Sequence, residues 1–389
     1  MKPEMNKQIF LLAFFIFLGP FCGNAVLSML HRLTLEFRTD MVVMSLSVTF
    51  FMVPFAVLQL VSGALSDRWN RRKTLIAGLL VFTAGQLMSA LAPSVHFFLT
   101  GRVIQGLGFA FVNPVALAMV GDMVPASSRG RLMGWMGSMN TLGIATGPLL
   151  GGVLAETNWR LAFFVLVFMG VLGLTIFFGS KVGKSGGKPQ RSPIGNLLKE
   201  AAGNRGVLIA SFSGFLTFFS YIAVLTSLSP YLATSLRLSD SQIGMIISCA
   251  GLAGILLSPF AGWTADRIGR ASTSALGLSA VALVLITLEM ATTWIAMAAL
   301  FFVLGGVMAF GWAGLVTLSV EFLPRARGTS TSIFNAVRFF GYALAPQLSS
   351  LVFIREGMKA VFLSAAAAAF AAALLAAALR KPEIALREK

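Results

Sequence analysis

Gly63-Ala64-Leu65-Ser66-Asp67-Arg68-Trp69-Asn70-Arg71-Arg72-Lys73 separates two long apolar runs, and a second copy, Gly262-Trp263-Thr264-Ala265-Asp266-Arg267-Ile268-Gly269-Arg270, stands in the same setting later in the chain. Gly63 and Gly262, Asp67 and Asp266, and Arg68 and Arg267 are each 199 positions apart. Pro125 and Pro324 keep that offset, while Gly130 and Gly328, and Pro148 and Pro346, keep 198. An offset near half of 389 residues means two halves of one design. Asn70 stands where the other copy has Gly269. Asparagine is the usual substitute where a turn needs positive φ, so the copies are expected to share a backbone turn as well as charges.

The runs around these copies identify the solvent. The chain is 57% hydrophobic and only 11% charged, a balance that no soluble domain keeps without large exposed apolar patches. A bilayer core needs about 20 apolar residues per helix, and twelve such runs occur, near 8–30, 41–62, 74–92, 96–120, 132–155, 160–180, 206–229, 240–261, 272–290, 294–318, 329–353 and 358–379. Their continuous apolarity, without the alternation of a barrel strand, makes them helices. The first has no evident small-residue cleavage site, so it reads as a span and not a removable leader. The expected fold is therefore an all-α membrane protein of twelve transmembrane helices in two six-helix halves, 1–180 and 206–389. Residues 181–205, rich in Lys, Gly and Ser with Pro189 and Pro193, join them as a solvated tether in which Ile194 to Ala202 can form a short surface helix. Six helices per half give both halves one orientation, with a substrate path expected between them.

The formal charge of +16 would suggest nucleic acid in a soluble protein. Its distribution says otherwise. With the N-terminus inside, the outer loops hold only Arg32, Arg38, Arg160, Arg237, Arg355 and Lys359, and every other basic residue except Arg102 and Arg338 falls in an inner segment, the linker or a terminus. This asymmetry places both termini in the cytoplasm of a multi-pass inner-membrane protein and removes nucleic acid as a partner. Cys22 and Cys249 lie in apolar runs and read as small hydrophobes. His31 and His96 sit near outer helix ends, and neither H-E-x-x-H nor G-x-S-x-G occurs, so no enzyme chemistry, metal or cofactor is expected.

In the quoted motif, glycine permits close helix approach, aspartate can sit at a facing helix N-terminus, and the arginines can pair with acids on neighbouring helices. Gly63, Asp67, Arg68, Arg71 and Arg72, with Gly262, Asp266, Arg267, Gly269 and Arg270, are thus expected to form a cytoplasmic gate latch. The stretch resembles the G-x-x-x-D-R-x-G-R-[KR] signature of the major facilitator superfamily and departs from it only at Asn70. The resemblance implies that Asp67 and Arg71 join an acid at the inner end of helix four, and the matching position is Asp122. Arg102-Val-Ile-Gln105-Gly106-Leu-Gly108 is similar to the family's R-x-x-Q-G-x-G segment, whose buried arginine is linked to proton coupling, which makes Arg102, Gln105 and Gly106 coupling candidates. Gly143-Ile-Ala-Thr-Gly147-Pro148-Leu-Leu-Gly151-Gly152 matches the family's antiporter pattern. Physically, glycines four apart make a groove on one helix face, and Pro148 makes a bend. The resemblance spans the chain and implies an exporter of small amphipathic molecules by alternating access, a drug or metabolite antiporter coupled to protons. The alternative within the fold is an organic-anion carrier or importer; an intramembrane enzyme or a transport-dead receptor is a remote one. The expected partners are a small-molecule substrate, the lipid bilayer and protons, with the chain acting as a monomer.

An ionisable side chain at membrane depth costs about 2.5 to 3.5 kcal/mol on insertion scales and is a functional candidate by default. Arg338 lies about ten residues, or about 15 Å, past Gly328 and so near the midplane. Arg102 is expected to be shallower, where its side chain can snorkel outward. Helical spacing puts Asn335, Arg338 and Tyr342 on one face and Arg102, Gln105, Phe109 and Asn113 on another. Asn24, Asn140 and Tyr221 complete the expected substrate cavity. All fourteen acids fall at helix ends or in loops, and Asp40 and Asp240 read as helix caps. With no central carboxylate, Arg338 is expected to turn to Asn and Tyr side chains, carbonyls, water or an anionic substrate group. A positive centre of this kind favours neutral or acidic amphiphiles over permanent cations.

Reporter fusions or cysteine labelling are expected to place both termini and Lys184 in the cytoplasm. Labelling of position 184 from outside would overturn the topology.

Overall fold

The computed structural model describes residues 3–123, 126–180, 200–323 and 327–380, and their regular structure is entirely helical. The helices are α1 (Pro3–Glu36), α2 (Met41–Trp69), α3 (Arg71–Ala90), α4 (Val95–Met123), α5 (Ala126–Asn158), α6 (Arg160–Gly179), α7 (Arg205–Ser235), α8 (Asp240–Ile268), α9 (Arg270–Thr287), α10 (Trp294–Glu321) and α11 (Arg327–Ala378). Gly357, at φ 78° and ψ −177°, breaks α11 into two arms. Ten helices are long and apolar enough to cross a membrane. That number counts α11 once and omits α5, whose Gly, Ser, Thr and Asn content lowers its hydropathy although its 33 residues would cover about 50 Å. With α5 included and α11 taken as two arms, the described residues hold twelve long helical segments, of which α5 falls short of the apolarity of a span.

Local chemistry sets the helix ends. Asp40 accepts from Val43 N at 2.7 Å, Asn204 from Val207 N at 3.1 Å and Thr293 from Ala296 N at 3.2 Å, so each satisfies a backbone donor that its helix cannot. At α8 the expected cap, Asp240, is instead the first helical residue. Ser239 is the cap and forms a reciprocal box with Gln242. Asn70 and Gly269 both adopt positive φ, 152° and 97°, as their equivalence in sequence requires. Asn70 adds what glycine cannot, because its side chain accepts from Arg72 N and Lys73 N and starts α3.

The chain forms two compact units, Met1–Ser192 and Pro193–Lys389. In the first, α1 packs on α5, α4 packs on α2 and α3, and α3 packs on α6. In the second, α7 packs on α11, α10 packs on α8 and α9, and α9 packs on α11. The same neighbour scheme therefore occurs twice. Much of the stretch read as a linker, 181–199, lies outside the described residues. Its end is no free tether: Ala201 is buried, and Asn204 Nδ2 donates to Phe322 O at 3.1 Å, fixing the start of α7 to the end of α10.

The glycine groove of α5 receives the backbone of α1. A methyl group at Gly143 would stand 2.6 Å from Phe17 O, one at Gly147 2.7 Å from Phe21 O, and one at Gly151 would run into Ala25 O. These carbonyls also recur every four residues, so the two helices mesh along matching faces. Each site is closed to a side chain, since backbone atoms cannot swing aside. Near the start of the same helix, a methyl at Gly137 would meet nothing within 4 Å. Gly151→Ala is expected to cost about 1 to 3 kcal/mol and lower the melting temperature of the detergent-purified protein, through overpacking. Gly137→Ala is expected to be neutral or to gain up to about 1 kcal/mol from helix propensity. Equal melting temperatures for the two variants would contradict the α1–α5 seam.

Candidate functional site

At the Asn70 turn, Arg71 pairs with Asp122 at the end of α4, and its Nη1 also donates to Ala118 O at 3.1 Å. This is the network expected for Arg71 and Asp122, and it lies within the first unit. Arg72 does something else. Its Nη1 donates to Ser180 O at 3.0 Å and its Nη2 to Phe177 O at 2.8 Å and Phe178 O at 3.2 Å. A guanidinium fork thus caps the C-terminus of α6, where the helix dipole also favours a cation. The side chains of Gly63, Asp67 and Arg68 lie outside the described residues. In the second unit Arg270 pairs with Glu321. Glu321 was not foreseen, yet it stands 199 positions after Asp122, so the repeat offset could have found it. Asp266 and Arg267 are exposed, with Arg267 lying over Trp263 of its own helix at 4.1 Å. No described atom comes within 4 Å of a methyl built on Gly262, so the close helix approach expected there is not made. The observed pairs brace one end of each unit from within.

Arg102 is 0% exposed, so it does not snorkel. Its Nε donates to Ser47 O at 2.9 Å, and its Nη1 donates to Gln105 Oε1 at 2.6 Å and Cys22 Sγ at 3.2 Å. Gln105 Nε2 donates in turn to Gly85 O at 3.0 Å and Ser89 Oγ at 2.8 Å. Gln86 Nε2 also reaches Cys22 Sγ, at 2.9 Å. Cys22 is therefore a polar member of this cluster and not the small hydrophobe its apolar sequence neighbours suggested. A methyl on Gly106 would strike Phe51 O of α2, while the Phe51 ring lies 4.7 Å from the Arg102 guanidinium carbon. Four helices thus meet around one buried cation without a carboxylate. Arg102 Nη2 and Gln86 Oε1 remain without a partner among the described residues.

Arg338 meets its charge differently. Its guanidinium carbon lies 4.3 Å from the ring centroid of Phe339, 4.6 Å from Trp312, 5.1 Å from Phe218 and 5.9 Å from Phe334. The rings brace one another, with centroids 5.1 Å apart for Phe218 and Trp312 and 5.5 Å apart for Trp312 and Phe334. Each such contact contributes about 0.5 to 2 kcal/mol, depending on desolvation. Tyr342 packs on Phe218 at 6.1 Å, and Asn335 is half-buried on the same arm of α11. Arg338 Nε is shut off from solvent without a partner among the described residues.

The other cavity candidates are spread over the two units. Asn24 is buried, donates to Pro20 O of its own helix at 2.7 Å and lies against Gly147 at the α1–α5 seam. Asn113 is half-buried, with Oδ1 unpartnered among the described residues. Asn140 on α5 and Tyr221 on α7 are half-buried. Pro148 and Gly152 are buried in α5. Among the described residues, no three His, Cys, Asp or Glu side chains converge as a metal site would require.

The family model of the Major Facilitator Superfamily matches residues 9–228 and 210–389. An uncharacterized MFS-type transporter, YwfA of Bacillus subtilis, is 27% identical over 371 residues, covering 92% of this chain and 89% of that relative. The multidrug resistance protein Stp of Mycobacterium tuberculosis is 33% identical over 163 residues, covering 41% of this chain and 30% of that relative. A crystallised D-xylose–proton symporter shares the fold, with a TM-score of 0.78 at 16% identity, covering 96% of this chain and 97% of that one. The doubled helix scheme, the paired Asn70 and Gly269 turns and the two-part family match agree: the chain belongs to the major facilitator superfamily and is a multi-pass membrane transporter.

Proposed function

We propose that the chain is a secondary active exporter of small amphipathic molecules in the inner membrane, driven by protons through alternating access. The α5 groove carries this reading. Its full antiporter-type pattern is occupied by the backbone of α1, so the two helices must move as one body or slide along a glycine track. The relation to Stp, whose name denotes multidrug resistance, supports the same direction. The likeness to a sugar–proton symporter concerns the fold alone, and import remains the competing direction. Arg102, Gln105 and Gly106 are the proposed coupling centre, because their cluster is buried, polar and short of one acceptor at Arg102 Nη2. The Arg71–Asp122 and Arg270–Glu321 pairs are proposed to keep the ends of the units rigid during the cycle.

Inverted membrane vesicles test the direction. A proton gradient that is acid inside these vesicles is expected to drive accumulation of amphiphiles as protons leave, and a protonophore is expected to abolish it. Uptake by intact cells down the proton gradient would replace export with import. The pair at Asp122 is half-exposed, so it contributes at most about 1 kcal/mol, enough to shift a two-state equilibrium about fivefold but not to unfold the protein. Asp122→Asn and Arg71→Gln are each expected to slow transport several-fold at unchanged membrane abundance, and the double variant to be no slower than either. Additive slowing would show that they act apart.

A further inference from the structure

We propose that Arg338 is a tethered cation filling an aromatic box, and that it makes the second unit select organic anions and shut out organic cations. The inference rests on the reading of the chain as a carrier of amphiphiles and names the charge of the cargo. Phe218 on α7, Trp312 on α10, and Phe334 and Phe339 on α11 surround one guanidinium within 6 Å. The faces of aromatic rings are electron-rich and attract a cation, so four of them around a point would hold an alkylammonium or guanidinium ligand. Here the protein supplies that cation itself.

The box satisfies charge but not hydrogen bonding. A guanidinium carries five N–H donors, and ring faces are poor acceptors. Among the described residues Arg338 Nε is sealed off without an acceptor. Arg102 is the internal comparison. It has the same side chain, three protein acceptors, one ring and no exposure, so most of its donors are met within the protein and only Nη2 is left over. Arg338 has four rings, a half-buried side chain and an Nε with no acceptor among the described residues, so it is a centre left open to one. The group that completes it is a two-oxygen acid, carboxylate, sulfonate or phosphate, which matches the planar fork of the guanidinium. The apolar body of such a ligand would lie against the same rings. No acid from the helix ends is needed to explain the site, and all of its residues belong to one unit.

The test is binding of two probes with the same apolar body, 2-naphthoate and (2-naphthylmethyl)trimethylammonium, to the purified full chain in detergent. Wild type is expected to bind the acid at least about tenfold more tightly than the cation, and Arg338→Gln to lose about tenfold for the acid and gain about tenfold for the cation as the box empties. Arg338→Lys is expected to keep the preference for the acid. In the Arg338→Gln background, Trp312→Leu is expected to remove the gain for the cation. A wild type that binds both probes equally, or prefers the cation, overturns the proposal even if the Gln variant fails to fold. A folded Gln variant with unchanged affinities, or with equal loss for both probes, overturns it too. Transport separates this from the exporter reading. Acid binding without proton-driven movement would sink export and leave the box standing, whereas export blind to substrate charge would sink the box and leave export standing.

Discussion

Lipid gives helices no hydrophobic reason to associate, so a bundle in a bilayer holds together only where backbones come close enough for dispersion and weak C–H···O contacts. In this protein the α1–α5 seam makes that constraint visible, with three glycines of α5 seated over three carbonyls of α1. The second unit repeats the device where Gly341 of α11 meets Phe215 O of α7. Since α7 is also fastened to the second arm of α11 by Ser213 Oγ to Ala372 O and Ser220 Oγ to Ala365 O, both at shorter than 3 Å, its polar side chains act as interhelical ties. The buried centres depend on these seams. Arg102 can be matched by groups on α2 and α3 only because Gly85, Gly101 and Gly106 let those helices approach α4 closely.

The two arginines within long apolar helices, Arg102 in α4 and Arg338 in α11, show two solutions to one problem. A cation held among helices must be compensated, and among the described residues no carboxylate pairs with either arginine. At Arg102 the compensation is a set of neutral acceptors, a carbonyl, an amide oxygen and a thiol, whose own hydrogen bonds are mostly made. Such a network fixes geometry, because displacing any member strands another. At Arg338 the compensation is diffuse and non-directional. Rings stabilise charge without dictating where the N–H groups point, so the fork can turn toward a newcomer without breaking a bond to the protein.

Much of the fold was legible because lipid imposes length on each run, and because duplication left the same Gly, Asp and Arg spacing in both halves. Asn70 could be read through Gly269, and Asp122 through its place after helix four. Other features hid for physical reasons. Cys22 looked apolar because its sequence neighbours are apolar, while its true neighbour, Arg102, lies 80 residues away on another helix. Periodicity tells which residues share a face but not which face it meets. The box around Arg338 was illegible for the same reason, its four rings coming from three helices in a chain with 34 phenylalanines. The helix count was blurred where α5 trades apolar side chains for glycine, since the residues that make the tightest seam also lower its hydropathy. Arg160 counted in the sequence only through its charge, yet it joins Glu36 at 3.0 Å and Ala92 O at 3.0 Å and ties together the ends of α1, α3 and α6.

The cation in the aromatic box differs from a ligand in one respect, that it cannot diffuse away. A group held by a short flexible tether has an effective concentration in the millimolar range or above. A free organic cation entering the box would compete against that standing concentration, so its intrinsic affinity would be masked unless it were much tighter than about millimolar. An anion faces no such competition, because it binds to the occupant and not in place of it. Covalent attachment alone therefore turns a pocket of non-selective π faces into a site with one sign of preference, and does so without a repulsive charge being added anywhere else in the unit.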